Sequence, residues 1–558
     1  MQSLNLKGAT EVKKLLLINP PVSIYVNKTA FIPLPLLVLG TCLKEIRQDG
    51  FNFSHEVIDL DLMFKQGLFS DDDSFYQQSF DLILAKDPDI LLFTTHGHNH
   101  IVVLNLSERI KKERPSCLIV VGGIGPTLQS KEAVKQCANI DVIVKGECEP
   151  VLKHLIPAAL GDRDFSHVPS IVYWKDGNVV ENPRIFLGMD EPIPFPDYSL
   201  IRIEDYIMHN KKNPYIHPGF VPIESGRGCP YGCSFCAPAK MWRSKVRYRP
   251  IPEIIKEMKY LAEKGGNFSF FTQDNLEESF LTSFSEALIE EKVGIPWGCY
   301  SRLDRLSDKM AVLLSEASCK MIFTGFETPI PNAQKSIRKV INSSAAFVKL
   351  QDFNAKGISI IGSFIVGFPD ETEEDIDNTM RFAMECATGM RMEQLDQFIA
   401  KTDQDKLPAK GANICPIHLL YHMPGTDSFE QEKDNLKISE YAFHPDCYGS
   451  HLFNYDAFKN DLSLLGCNPY LNHFTEDKAR FYCSVLRLFN FLNSRPYYFA
   501  LLLKLTAQAP LALMKDMVSC LGEHFVLSAK IEEFEAKSKN YVNKHLRFVP
   551  EWTVKKGH

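Results

Sequence analysis

Three cysteines in Cys229-Pro-Tyr-Gly-Cys233-Ser-Phe-Cys236 carry the most chemistry in this chain. Thiolates are the usual protein ligands of cubane iron–sulfur clusters, and four of them fill every iron and suit an electron carrier. Three leave the fourth iron open to a ligand. Gly226, Gly228, Gly232 and Pro230 let a short loop curl so that three sulfurs converge, which a regular helix or strand does not allow. The competing readings are a zinc site and a chance cluster of buried thiols. Structural zinc takes four ligands, usually as two close pairs, and no second pair at suitable spacing follows.

A site of this kind needs a scaffold, and the β/α rhythm around the loop supplies one. Candidate strands run over 221–225, 268–272, 296–301, 321–324, 359–364 and 414–421, with helical patterns between them. Six such units make a partial (β/α)6 barrel, with chemistry expected at the carboxyl ends of its strands. The cysteine loop follows the first strand directly. Other strand ends carry Gln273 and Asp274, Arg302, Glu327 and Ser363. An acid and a base at one mouth can hold an α-amino and an α-carboxylate group through charge-assisted hydrogen bonds.

Upstream, residues 12–155 alternate continuous apolar runs with helical patterns. The runs Leu15–Ile18, Ile90–Phe93, Leu118–Val121 and Val142–Val144 imply a doubly wound parallel sheet covered on both faces. Ligands of such sheets sit beyond the strands' carboxyl ends. Those ends here carry Pro20, Thr94, Thr95, Gly122, Gly123, Gly146 and Glu147, so a flat polar ligand fits the rim. No G-x-G-x-x-G dinucleotide fingerprint is present. Residues 156–220 read as a linker with a small hairpin turning at Asp176-Gly177, residues 221–430 as the barrel, and residues 431–558 as a mainly helical C-terminal domain. In that last part Thr475 is placed to cap a helix bearing Phe481, Tyr482, Val485, Leu488, Phe489 and Leu492.

The 558 residues suffice for two or three domains; hydrophobic residues at 45%, charged residues at 23% and a net charge of -7 give no general pull toward nucleic acid or anionic membrane. The fifteen cysteines are odd in number and scattered, and no secretory signal pattern is read, so a reducing cytoplasm is expected. The apolar stretch 497–514 is interrupted by Lys504, Gln508 and Pro510, and reads as a buried helical hairpin rather than a membrane span.

Over residues 12 to about 430 the chain resembles the cobalamin-dependent radical S-adenosylmethionine enzymes, in which a cobalamin-binding domain precedes a radical barrel. The resemblance rests on Cys229-x-x-x-Cys233-x-x-Cys236 within Ser225-Gly-Arg-Gly-Cys-Pro-Tyr-Gly-Cys-Ser-Phe-Cys236. Supporting segments are Phe271-Thr-Gln-Asp-Asn275, Ile295-Pro-Trp297 with Arg302, Gly325-Phe-Glu327 and the segment Gly362 to Thr372. Upstream, Val121-Gly-Gly-Ile-Gly-Pro-Thr127 and Val144-Lys-Gly-Glu147 resemble segments that line the family's cobalamin site. It implies a four-iron four-sulfur (4Fe-4S) cluster on Cys229, Cys233 and Cys236, with S-adenosylmethionine on the open iron. Phe235 would lie against the adenine, Gln273 or Asp274 would meet the amino group, Arg302 the carboxylate, and Glu327 and Ser363 the ribose or amino end. Cobalamin would contact Pro20, Thr94, Thr95, Gly122, Gly123, Thr127, Gly146 and Glu147.

The D-x-H-x-x-G signature for a lower histidine ligand is absent, and His96, His98 and His100 read as polar loop residues. The implied activity is methyl transfer to an unactivated carbon or phosphorus of a small-molecule or peptide substrate. Electrons would come from a flavodoxin or ferredoxin, with no nucleic acid or membrane partner. A radical cyclase or rearrangement enzyme is the alternative. A methylthiotransferase needs a second cysteine set, which Cys42, Cys117, Cys137 and Cys148 do not supply, and the intact cysteines argue against a non-catalytic cobalamin or cluster sensor.

Overall fold

The computed structural model describes residues 12–521 apart from 22–28, 71, 73, 96–98, 189, 213–216, 404–405, 409, 436–475 and 507. Two compact units divide the described chain near residue 215.

The first unit is a seven-stranded sheet in the order β2-β1-β3-β4-β5-β6-β7. Its strands are β1 (Lys13–Asn19), β2 (Phe53–Asp59), β3 (Ile90–Thr94), β4 (Leu118–Gly122), β5 (Val142–Val144), β6 (Ile171–Lys175) and β7 (Asn178–Glu181). The first five pair in parallel. Their apolar runs are continuous because both faces are covered. Leu16, Ile18, Leu91, Phe93, Ile119 and Val121 enter one core, while Leu15, Leu17, Ile90, Leu92, Leu118 and Val120 enter the other.

Two features of this unit differ from the sequence reading. β2 was not anticipated, because an edge strand carrying Ser54, His55 and Glu56 lacks an unbroken apolar run. The hairpin at 171–181 is not part of a linker. It extends the sheet, β6 lying antiparallel on β5 with Val142 opposite Tyr173, and Ile171, Val172 and Tyr173 are buried in the sheet's two cores.

The second unit holds all six expected barrel strands, in the order β15-β14-β13-β12-β11-β8. They are β8 (Phe220–Ile223), β11 (Phe268–Phe271), β12 (Trp297–Tyr300), β13 (Cys319–Glu327), β14 (Ser359–Val366) and β15 (Ile417–Leu419); a separate two-stranded ribbon pairs β9 (Gly226–Gly228) with β10 (Val246–Tyr248). Every neighbouring pair in the six is parallel. Alternation sets two faces. Phe271 and Phe364 pack under helices, against Phe284 and Phe382, whereas Phe270, Tyr300 and Phe323 form a continuous aromatic inner wall with centroids 5.1 and 4.9 Å apart. The helix Glu373–Thr388 starts on a capping box, Thr372 with Asp375, and stops at Gly389 in the left-handed region (φ 73°).

The open side of the barrel ends at β15, an edge strand whose main chain needs partners. The C-terminal helix Glu476–Asn493 provides them. Asn490 accepts the Ile417 N–H and donates to the Ile417 carbonyl, each at 2.8 Å, and Asn493 donates to Cys415 O at 2.9 Å. Tyr482, Val485, Leu488, Phe489 and Leu492 are buried, as their spacing predicts; the expected cap Thr475 lies outside the described residues. Helices Pro496–Thr506 and Pro510–Leu521 form the expected hairpin, and no described helix is long and apolar enough to cross a membrane. Asn490→Ala strands both main-chain groups of the buried Ile417, so it is expected to cost about 1–3 kcal/mol of stability, read as a lower thermal unfolding midpoint.

Candidate active site

The cysteine loop is closed at its base by the β9–β10 ribbon, in which Gly228 faces Val246. Gly228 has φ +99°, and a Cβ there would run into the Lys245 carbonyl, so only glycine permits the turn. The base is fixed to the barrel through Arg249. Its N–H donates to Ser225 O at 2.9 Å, and its guanidinium donates to Glu224 O at 2.9 Å and to Glu257 at 2.5 Å, with both side chains of that ion pair fully buried. Within the loop Ser234 is the anchor. Its N–H donates to Ile337 O at 3.1 Å, its hydroxyl to Ser336 O at 3.1 Å, and its carbonyl accepts from the Ser428 N–H at 3.0 Å.

Cys229, Cys233 and Cys236 are all half-buried on this loop. Burial pushes the Cys229 thiol up to about 11 and that of Cys236 up to about 12, and raises that of Cys233; the positive charge of Lys339 opposes the shift at Cys229 and Cys233. Such thiols keep their protons until a metal cation binds the sulfurs and displaces them to solvent. Three soft donors with flanking cationic side chains fit an iron–sulfur cluster. Among the described residues no three His, Cys, Asp or Glu side chains are placed to hold a single metal ion.

The strand-end residues divide into those facing the mouth and those holding it. Gln273 is 2% exposed; its Nε2 donates to Asn275 O at 3.3 Å, while Oε1 is buried without a hydrogen-bond partner against Gly226, where a Cβ would collide with it. Asp274 is exposed to solvent, yet burial among surrounding protein pushes its carboxyl up to about 6 against hydrogen bonds from the Trp242 side chain and the Gly228 N–H. Of the two residues matched to an amino group, Asp274 is the accessible one.

Arg302 is more committed than its position suggests. Its Nε and Nη2 form a two-point pair with Asp304 at 3.1 and 2.7 Å, and the guanidinium lies 4.4 Å over the ring of Tyr231, inside the cysteine loop. Its own N–H donates to Asn275 Oδ1 at 3.0 Å, while Thr324 Oγ1 accepts the Leu303 N–H at 3.1 Å, so these side chains knit β11, β12 and β13 at their ends. Ser363 is half-buried and pairs in register with Gly325.

Glu327 ends β13 beside a register irregularity, with φ +60°. A left-handed non-glycine residue costs about 1–3 kcal/mol and recurs at functional sites. Glu327 Oε1 accepts from Lys339 Nζ at 2.7 Å, both side chains being under a tenth exposed. Phe235 packs into a small apolar cluster with Ala333, Ile337, Phe368 and Leu420. Tyr231, Trp242, Asp304, Thr324 and Lys339 escaped the sequence reading, and Asn275 entered it only as the last residue of a strand-end segment with no role of its own. Only Tyr231, between two cysteines, carried a positional signal.

In the first unit the expected rim residues do come together. Asn99 donates to Pro20 O at 3.1 Å; Thr95 Oγ1 donates to Asn99 Oδ1 at 2.6 Å; and the Thr95 N–H donates to Gly122 O at 2.9 Å. Thr127 bridges two rim loops, its hydroxyl donating to Gly123 O at 2.6 Å and accepting from the Gly146 N–H at 2.9 Å. Thr94 and Glu147 are half-buried at the ends of β3 and β5. Gly123 (φ +116°) lies against the Thr95 carbonyl, Gly146 (φ +85°) against the Arg184 guanidinium, and a Cβ on Gly122 would meet nothing. A rim of small residues and main-chain polar groups suits a broad planar ligand such as a corrin. His100 is 1% exposed with Nδ1 3.0 Å from Thr95 Oγ1; His96 and His98 lie outside the described residues.

Family models agree with this division. The B12 binding domain matches residues 30–156, and the radical SAM superfamily matches residues 223–383. An uncharacterized methyltransferase of Pyrococcus horikoshii is 26% identical over 67% of this chain and 78% of its own length. A bacteriochlorophyllide d C-12(1)-methyltransferase of Chlorobaculum tepidum is 25% identical over 62% and 67%. An anaerobic magnesium-protoporphyrin IX monomethyl ester cyclase of Rubrivivax gelatinosus is 29% identical over 49% and 50%. Among solved structures, the cobalamin-dependent S-adenosylmethionine radical enzyme OxsB with aqua-cobalamin and S-adenosylmethionine bound is similar with a TM-score of 0.62 at 16% identity, over 96% of this chain and 80% of that one. The radical S-adenosylmethionine methyltransferase TsrM of Kitasatospora setae, with cobalamin and a 4Fe-4S cluster bound, is similar with a TM-score of 0.54 at 18% identity, over 76% of each chain. The chain therefore carries a B12 binding domain followed by a radical SAM domain, in a fold like that of cobalamin-dependent radical S-adenosylmethionine enzymes, and the cofactors of these two domains are cobalamin, a 4Fe-4S cluster and S-adenosylmethionine.

Proposed function

We propose that the protein is a methyltransferase that acts on an unactivated carbon, or on phosphorus, of a small-molecule or peptide substrate. The observation that carries the reading is the presence in one chain of two different sites: a three-cysteine loop with acidic and basic strand-end groups around it, and a glycine-rich rim built for a planar ligand. When bound, the cluster supplies the electron that splits the sulfonium of S-adenosylmethionine, and cobalamin carries the methyl group.

The chain's own contribution is positional. Cys229, Cys233 and Cys236 would hold the cluster, and Ser234 would fix the loop that carries them. Asp274 would meet the amino group of S-adenosylmethionine, Glu327 and Ser363 would meet the ribose or amino end, and Phe235 would flank the adenine. Pro20, Thr94, Thr95, Gly122, Gly123, Thr127, Gly146 and Glu147 would contact the corrin. Relatives bearing methyltransferase names support methyl transfer. A radical cyclase is the second reading, supported by similarity to the Rubrivivax gelatinosus cyclase. Either activity draws electrons from a flavodoxin or ferredoxin and requires a reducing compartment such as the cytoplasm.

Anaerobic purification in the presence of hydroxocobalamin, with cobalt analysis and electron paramagnetic resonance of the cob(II)alamin state, tests the reading. It requires about one cobalt per chain and no nitrogen hyperfine splitting from an axial imidazole. Protein that retains no cobalt contradicts methyl transfer.

A further inference from the structure

We infer that Lys339, not Arg302, receives the carboxylate of the methionyl group of S-adenosylmethionine, with Glu327 beside it as the acceptor for the same ligand's ammonium. The inference rests on the reading of the barrel mouth as an S-adenosylmethionine site and adds the residue that orients the ligand there.

Lys339 lies in the segment after the short helix Pro331–Ser336, its N–H donating to Gln334 O at 2.9 Å. It brings an ammonium to the barrel mouth from outside the set of strand ends. A buried ammonium has three protons to place. One goes to Glu327 Oε1 at 2.7 Å, and no other described residue accepts from Lys339 Nζ. The partner carboxylate is half-used as well. Glu327 Oε2 has no hydrogen-bond partner among the described residues, yet it is not among the side-chain atoms sealed from solvent.

Unused donors beside an unused acceptor, on side chains under a tenth exposed, match a ligand that carries a carboxylate and an ammonium on one carbon. The bare Cα of Gly325 makes the arrangement possible, since a Cβ there would collide with the Glu327 carboxylate and stand 2.6 Å from Lys339 Nζ. Both cations lie on the cluster side of the mouth, Lys339 acting on Cys229 and Cys233 and Arg302 on Cys233. Arg302 lacks the same freedom. Its Nε and Nη2 are held in the two-point pair with Asp304 and its face lies over Tyr231, which leaves Nη1 as its one nitrogen without a partner among the described residues and fixes the plane in which that nitrogen can donate.

The test is equilibrium dialysis of radiolabelled S-adenosylmethionine and of its decarboxylated analogue against anaerobically reconstituted, unreduced full-length protein. Lys339→Met is expected to weaken S-adenosylmethionine binding about tenfold or more while leaving the decarboxylated analogue within about twofold of wild type. The cluster's iron content, measured alongside, should not change. If the single variant fails to fold because it strands the Glu327 carboxylate, the double variant Lys339→Met with Glu327→Gln is compared with Glu327→Gln alone, and the further loss on adding Lys339→Met should fall on S-adenosylmethionine and not on the decarboxylated analogue. Equal weakening for both ligands assigns Lys339 a structural role and overturns the inference, as does unchanged binding. Selective loss in Arg302→Met instead returns the carboxylate to Arg302. Wild-type protein that holds its cluster but binds neither nucleoside overturns the reading of the mouth itself.

Discussion

Replacing Cys229, Cys233 and Cys236 together by alanine is expected to take anaerobically reconstituted protein from about four irons per chain to almost none, with loss of the charge-transfer absorbance. The argument is one of ligand number. A cubane held by three thiolates has no protein ligand to spare, and the half-buried loop offers no other thiol. The fold should survive, because the loop's anchors are not its cysteines. Ser234 holds the helix 331–336 and Ser428 through its main chain and hydroxyl, and Arg249 with Glu257 holds the base. A triple variant that is folded by circular dichroism yet free of iron is the expected result. Retained iron at the wild-type level would show that the cluster, or whatever metal is bound, has other ligands.

Gly123→Ala is expected to reduce retained cobalamin at least tenfold while leaving the iron content of the second unit unchanged. Two costs add at this position. The backbone is held at φ +116°, which L side chains rarely adopt, and the new methyl would enter the Thr95 carbonyl. Thr95 cannot give way cheaply, since its hydroxyl is bonded to Asn99, which holds Pro20, and its N–H is bonded to Gly122. The strain therefore spreads through the rim and not into one side chain. Gly122→Ala is the contrasting variant, because a Cβ there meets no protein atom within 4 Å. Its methyl would protrude into open space, so it tests directly whether that space is where the corrin lies. Cobalt counts per chain separate the two effects, and a normal count in Gly123→Ala would remove the rim from the cobalamin site.

How much of this was legible in the sequence depends on the range over which each signal acts. Strands buried on both faces announce themselves as apolar runs, so β1, β3, β4 and β5 and all six barrel strands could be read from 12 to 421. β2 could not, because Ser54, His55 and Glu56 at the sheet's edge break the run. The Asp176-Gly177 turn betrayed the 171–181 hairpin but not its docking on β5, which depends on pairing between residues far apart in the chain, such as Val142 with Tyr173. The three cysteines were legible because their spacing is local. The partners of Arg302 were not: Asp304 is two residues away and reads as solvated surface, and Tyr231 meets Arg302 only once the loop folds over the barrel. Lys339 stands twelve residues beyond Glu327, on no strand end, so no periodicity points to it.

The most direct test of the central claim is to incubate the reduced, reconstituted protein with S-adenosylmethionine, with and without added cobalamin, and to quantify both nucleoside products. The account predicts 5′-deoxyadenosine that disappears in the cysteine variant, together with S-adenosylhomocysteine that forms only when cobalamin is present. S-adenosylhomocysteine that is absent in cobalamin-loaded protein, while 5′-deoxyadenosine still forms, would contradict methyl transfer and leave a radical cyclase in its place.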